Sequence, residues 1–401
     1  MSFDLVAHRN AKTAASPVML RGAYRLLFLG GALWALTVVA LWIASYAGAI
    51  LLPTAMDPLA WHQHEMLFGY LGAVIAGFLS AAVPNWTGRP AFAGAPVAFF
   101  AGWWLAARLA ILFSTMVPPI VGAVLDVGFF LFAAAIALRE IRAAKNRNVP
   151  SPIVILLFAA ANGVHHAETM GAALPAGLGV RAGLAIILVL IALIGGRIIP
   201  AFTRNWLARE RPGARGPTMA NRFDLAAIAA AAIALAAWVG WPFAPAAGWL
   251  LILAGATHAV RLARWSGFRT LADPLVFVLH IAYAWLPLGF ALLGCSIVGT
   301  AVPSTTALHA LTAGTMGTIT LAVMTRATLG HTGRPLRADG LTVAIYALVT
   351  IGALLRVASP FMPFDYVAML RLAGLAWGGA FALFVLAYGP KLLGPRVDGG
   401  A

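Results

Sequence analysis

Residues 61–83 read WHQHEMLFGYLGAVIAGFLSAAV. From Met66 onward the segment is apolar, and with the residues around it the run is long enough to cross a bilayer as a helix. Its first turn carries His62, His64 and Glu65. Ionisable groups at the mouth of a membrane helix are costly unless paired or ligated, so these three are candidate functional residues. On a regular helix His62 and Glu65, three apart, share a face, and His64 points away from it.

Runs of the same length recur outward in both directions. The chain has 401 residues, 62% hydrophobic and 10% charged, with a mean hydropathy of +0.91. That excludes a soluble domain and predicts an all-α, polytopic integral membrane protein. Twelve apolar runs stand near 23–46, 60–83, 92–114, 118–140, 150–172, 178–200, 222–241, 244–264, 272–296, 303–328, 339–358 and 366–388. The gaps hold Gly or Pro and are too short for a folded extramembrane domain. The expected organisation is one transmembrane domain over 1–401. It has an N-terminal tail (1–22), a twelve-helix bundle (23–388) and a C-terminal tail (389–401).

A net charge of +15 would suggest nucleic acid in a soluble protein. Here it reads as topogenic arginine in short loops, and no nucleic-acid partner is expected. With alternating sides, 23 of the 27 Lys and Arg residues fall on one face, among them Arg9, Lys12, Arg89, Arg139, Arg204, Arg264, Arg334 and Lys391. Both termini are therefore predicted to be cytoplasmic. The four exceptions, Arg108, Arg181, Arg356 and Arg371, lie near outer helix ends. Snorkelling accounts for such residues. The sharper alternative is that Arg108, Arg356 and Arg371 hold an anionic group, such as haem propionates. The single cysteine, Cys295, excludes internal disulfides, a Cys-based zinc site and Cys-x-x-Cys-His haem attachment, so any haem is of the b type. Residues 1–25 lack the apolar core and small-residue cleavage site of a secretory signal, and none is expected.

The chain echoes itself. From His64 it reads HEMLFGYLGAVIAGFLSAAVPNWTGRP, and from His309 it reads HALTAGTMGTITLAVMTRATLGHTGRP. Gly69 and Gly72 match Gly314 and Gly317, and both stretches close on Thr-Gly-Arg-Pro without a gap. A weaker echo runs through Arg197 to Arg204, so helices 2, 6 and 10 are candidate heads of three four-helix units. The echo predicts equal depth for His64 and His309, in the outer half of the membrane.

Histidine is the informative residue. His62, His64, His165, His166 and His309 are predicted at one level, and His258 and His280 nearer the cytoplasmic side. Neutral imidazole suits haem iron, copper and zinc alike. A bis-histidine haem b needs one imidazole from each of two helices at equal depth. His64 and His309 meet that requirement, with the four matched glycines leaving room for the macrocycle. His165 and His166, with His62, could supply a three-nitrogen copper site beside it. Glu65 and Glu168 each follow a histidine by three residues, as in di-iron sites, which need more glutamates than these. Glu65, as catalytic group, and Asp126 are candidates for proton movement, and Asn162 for a structural hydrogen bond. His258 and His280 are either a second haem site or structural residues.

Four stretches resemble one family: WHQHEMLFGYLGAVIAGFLSAAVPNWTGRP, GGRIIPAFTRNWL, PLVFVLHIAYAWLPLGFALLG and HALTAGTMGTITLAVMTRATLGHTGRPL. They are similar to the NnrS family, membrane proteins associated with haem and copper in nitric oxide metabolism and denitrification. The resemblance implies a role against nitrosative stress in a bacterial inner membrane. It carries over onto His62, His64, Glu65, His280, His309 and His331. In helix 5 it implies a histidine four residues after Asn162, which is His166, leaving His165 as an extra. The expected function is binding and detoxification of nitric oxide, an apolar gas that reaches a buried centre through lipid. Reduction of the gas, by a nitric oxide reductase-like oxidoreductase, would need protons and an unknown electron donor. The rival readings are a twelve-helix transporter, which internal repeats also suit, and a non-catalytic sensor or accessory factor of denitrification.

Overall fold

The computed structural model describes residues 13–299 and 302–398; His8, Arg9 and Lys12 lie outside them. Every apolar run forms a helix. In chain order these are α1 (Ala23–Tyr46), α2 (Pro58–Thr87), α3 (Ala95–Leu112), α4 (Pro119–Ala143), α5 (Pro150–Thr169) and α6 (Leu178–Glu210). They continue as α7 (Arg222–Gly240), α8 (Pro245–Ala263), α9 (Pro274–Ile297), α10 (Ser304–His331), α11 (Gly340–Ala358) and α12 (Tyr366–Leu393). Starts follow local chemistry. Proline stands in the first turn of α2, α4, α5, α8 and α9, where its missing N–H costs nothing. Asp57, Asn221, Asp273 and Asp339 accept from first-turn amides.

Among the described residues eleven helices are long and apolar enough to cross a membrane, against twelve expected. The difference is α5. It has 20 residues, but Asn162, His165, His166 and Glu168 break up its apolar run.

The chain packs as two compact units. The first takes residues up to Gly183 with Met324–Pro335 and from Phe381 on; the second takes Leu184–Val323 and Leu336–Ala380. In the first, α2 packs on α1 and α4, and α4 also packs on α3 and α5. In the second, α8 packs on α7 and α9, and α10 lies against α9 and α11.

The sequence echo has a structural counterpart. Helix α2 changes to π-helix over Glu65–Tyr70, immediately after His64, and α10 does so over Ala310–Met316, immediately after His309. π-Segments are rare and collect at functional sites. Helices α2, α3 and α4 begin at Pro58, Ala95 and Pro119; α10, α11 and α12 begin at Ser304, Gly340 and Tyr366. That offset stays within two residues of the 245 separating His64 from His309. The shared Thr-Gly-Arg-Pro is a helix stop. Thr87 and Thr332 return their hydroxyls to the carbonyls four residues back, at 2.7 and 2.6 Å. Gly88 and Gly333 then turn the chain at φ 65° and 70°, the left-handed conformation that favours glycine. The third echo, in α6, has no π-segment: that helix is α-helical throughout.

Candidate metal centre

The first unit encloses a polar cluster contributed by five helices. Trp34 comes from α1, His64 and Glu65 from α2, Arg108 from α3, Asp126 from α4, and Asn162, His165 and His166 from α5. All are buried, and His64, Glu65, Arg108 and Asn162 are completely so. Glu65 and His64 both point into the cluster, His64 Nδ1 lying 3.0 Å from Glu65 Oε1. His62 instead stacks on Trp42, with ring centroids 4.5 Å apart. His62 and Glu65 both meet tryptophans of α1, at Trp42 and Trp34 respectively.

Glu65 is saturated. Its Oε2 accepts from Trp34 Nε1 at 2.6 Å and Arg108 Nη1 at 2.9 Å, while Oε1 takes the His64 Nδ1 proton. Arg108 also pairs with Asp126. The arginine that sequence placed at an outer helix end is thus the buried counter-ion of two carboxylates. Asn162 Nδ2 donates to Asp126 Oδ2 at 2.7 Å, which turns its carbonyl oxygen to His64 Nε2, 3.0 Å away.

His64 Nε2 faces oxygen acceptors, so it either donates a proton to them or shares a cation with them. Around it stand Asp126 Oδ2 at 3.1 Å and His166 Nε2 at 3.2 Å, besides the Asn162 oxygen. His166 Nε2 is itself 3.3 Å from Asp126 Oδ2. Converging lone pairs repel unless a proton or a cation sits among them. With neutral imidazoles, Glu65, Asp126 and Arg108 would leave one negative charge in a fully buried site, which a proton on His64 or a cation would offset.

The geometry fits a metal ion. His64, Asp126 and His166 form a buried three-residue group whose ligand atoms lie within 4.8 Å of one another. Two ligands at about 2.05 Å in a tetrahedral shell are about 3.3 Å apart, which is the spacing of these three atoms. The Glu65–His64 pair has the form of a carboxylate orienting a metal-bound imidazole. The ring of His165 stacks on that of His64, 5.4 Å away and inclined by 18°. Neither ring nitrogen of His165 makes a hydrogen bond; its Nδ1 stands 3.7 Å from Glu168 Oε2.

The same surroundings do not fit a haem at His64. The glycines expected to make room for a macrocycle face side chains. A Cβ on Gly69 would lie 2.5 Å from Glu65 Oε2, on Gly72 2.5 Å from Phe130, on Gly314 2.5 Å from Trp285 and on Gly317 2.7 Å from Trp377.

His309 lies in the second unit and hydrogen-bonds to the Thr305 carbonyl at 2.7 Å through Nδ1. The repeat equates the positions of His64 and His309. The counterparts of Glu65 and Arg108 at the same offset are Ala310 and Ala353. These two alanines pack with Trp285 in an apolar cluster. One repeat therefore carries an ion-paired site and the other an apolar core at equivalent positions.

Elsewhere, His280 Nε2 meets the Thr203 hydroxyl at 2.9 Å. His258 lies between the Tyr283 hydroxyl, at 2.7 Å, and the Ala227 carbonyl, at 3.1 Å. Arg356 Nη1 donates to Ser359 Oγ at 3.2 Å, and Arg371 is exposed. All four lie in the second unit.

The NnrS protein family model matches residues 18–396. The chain belongs to the NnrS family. It is a multi-span helical membrane protein related to nitric oxide. No curated protein matches it. For an NnrS protein the informative features are Asp126 and Trp34, which sequence reading did not assign to the centre. Asp126 carried a readable signal: a carboxylate in one apolar helix, with the opposite charge of Arg108 in the preceding one, calls for a pair.

Proposed function

We propose that this NnrS protein holds a copper ion between His64 Nε2, His166 Nε2 and Asp126 Oδ2. There it binds nitric oxide, protecting a bacterial inner membrane against nitrosative stress. The observation that supports this best is the convergence of three ligand atoms at 3.1–3.3 Å in a fully buried site. With neutral imidazoles a monovalent cuprous ion would balance Glu65, Asp126 and Arg108, and imidazole is a ligand copper accepts in either oxidation state. Bound there, copper would supply a one-electron centre able to coordinate a small neutral gas.

The protein's own groups do the rest. Glu65 orients His64 and fixes its tautomer, and Trp34 and Arg108 hold Glu65 in place. This assigns Glu65 to positioning, because both its oxygens are already committed. Asn162 fixes Asp126, and His165 stands ready as a further nitrogen donor. The burial of the site excludes water and anions but admits a gas that partitions into lipid. Haem b, which the family resemblance implies, would have to sit away from His64.

Infrared spectroscopy of the anaerobic, dithionite-reduced protein tests the reading. An N–O stretch of bound gas, shifted by 15N-labelled nitric oxide, is expected in the wild type and absent in a His64→Ala/His166→Ala double variant. An unchanged stretch in that variant would place gas binding elsewhere and overturn the proposal.

A further inference from the structure

The first unit contains a second feature that the metal centre does not use. An apolar cavity of about 260 Å³ opens between α1, α2, α3 and α4. It is kept open by small residues such as Ala76, Ala133 and Ala137 and walled by Phe92, Phe99, Phe100 and Phe132. Its mouth is polar. Glu140, buried, takes Arg89 Nε at 2.5 Å and Arg139 Nη2 at 3.0 Å. The guanidiniums are partly exposed and keep further N–H groups beyond those spent on Glu140. This end carries Arg89 and Arg139, the side that the arginine distribution predicts to be cytoplasmic.

The aromatic wall continues to the histidines. Phe132 lies 5.9 Å from Phe100, and Phe100 stacks on Phe129 at 4.6 Å. Phe129 meets Phe130 at 5.3 Å, Phe130 meets Phe158 at 5.2 Å, and Phe158 meets Phe68 at 4.9 Å. Phe68 is 5.4 Å from His64 and 6.1 Å from His165. Any one of these contacts is ordinary aromatic packing. Their unbroken run from the cavity wall to a buried metal-ligand group is what a core of the same composition would not require.

We propose that this cavity is a quinol site and that the phenylalanine run fills the path along which electrons tunnel from it to the centre at His64. The inference rests on the metal reading above and names its electron donor. An isoprenoid quinol matches the cavity. Its flat ring fits a phenylalanine-walled slot, its tail lies in lipid, and one of its hydroxyls meets a carboxylate acceptor and guanidinium donors at the charged end. A phospholipid would use the charged mouth and the apolar walls, but not the aromatic run beyond them. The step balances. A quinol breaks its two O–H bonds to become a quinone, giving two protons to the aqueous side through the Glu140 mouth and two electrons, singly, to the metal. Two nitric oxide molecules take up two electrons and two protons to give nitrous oxide and water.

Quinone and copper are quantified in the same purified samples of the full chain, by solvent extraction and by metal analysis. The wild type is expected to retain near-stoichiometric quinone. Ala133→Trp, which fills the slot, should lose it roughly tenfold with copper unchanged. In a second variant, Phe100→Leu, quinone stays bound, but reduction of the metal by added decylubiquinol slows roughly tenfold. Phospholipid without quinone in the wild type, or full quinone in Ala133→Trp, would overturn the inference while leaving the copper reading intact. Copper absent from wild type that retains quinone would overturn the copper reading and with it the electron route.

Discussion

His64 Nε2 and His166 Nε2 stand 3.2 Å apart, both turned to the same oxygen of Asp126. Two imidazole nitrogens and a carboxylate this close inside an apolar protein share a positive charge, a proton or a metal ion.

Arg108 neutralises Glu65 and Asp126 together. Arg108→Ala leaves two buried carboxylates and is expected to destabilise the protein by about 3–5 kcal/mol, read from denaturant unfolding in detergent. The double variant Glu65→Ala/Arg108→Ala should be markedly more stable than Arg108→Ala alone. The second repeat already uses this solution, with Ala310 and Ala353 packed against Trp285. A double variant no more stable than the single one would contradict the equivalence drawn between the repeats.

Asp126→Asn keeps the shape of the side chain and removes its charge. Copper affinity, measured by competition with a chelator, should fall by about 10–100-fold. His62→Ala, at a residue stacked on Trp42 outside the cluster, should leave that affinity unchanged. Equal losses in the two variants would return His62 to the ligand set.

Gly88 turns at φ 65° with nothing within 4 Å of a would-be Cβ, whereas a Cβ on Gly333 would strike Asp398. Gly88→Ala should cost about 1–2 kcal/mol from the left-handed backbone alone, and Gly333→Ala more. Equal stabilities by thermal unfolding would mean that the Asp398 contact yields freely.

The helices were legible because a bilayer-length apolar run is a one-dimensional signal, and α1 spans Ala23–Tyr46 as the hydropathy predicts. The candidate site was legible in part. His64 and His166 stood out as imidazoles in apolar helices, and the Thr-Gly-Arg-Pro echo marked a true structural repeat. Arg108 and Asp126 belong to neighbouring helices, and their pairing depends on rotations that composition does not encode. The π-segment at Glu65 is a matter of hydrogen-bond register, invisible in residue types. The likeness of His64 to His309 expresses equivalence of position, and equivalent positions in two repeats need not be neighbours.

The most direct measurement is metal analysis with electron paramagnetic resonance on the purified, oxidised protein. Near-stoichiometric copper is predicted, with hyperfine coupling to two imidazole nitrogens, and with both copper and coupling lost in the His64→Ala/His166→Ala double variant. Protein free of transition metal after expression in copper-replete cells, or full copper with unchanged coupling in that variant, would contradict the account.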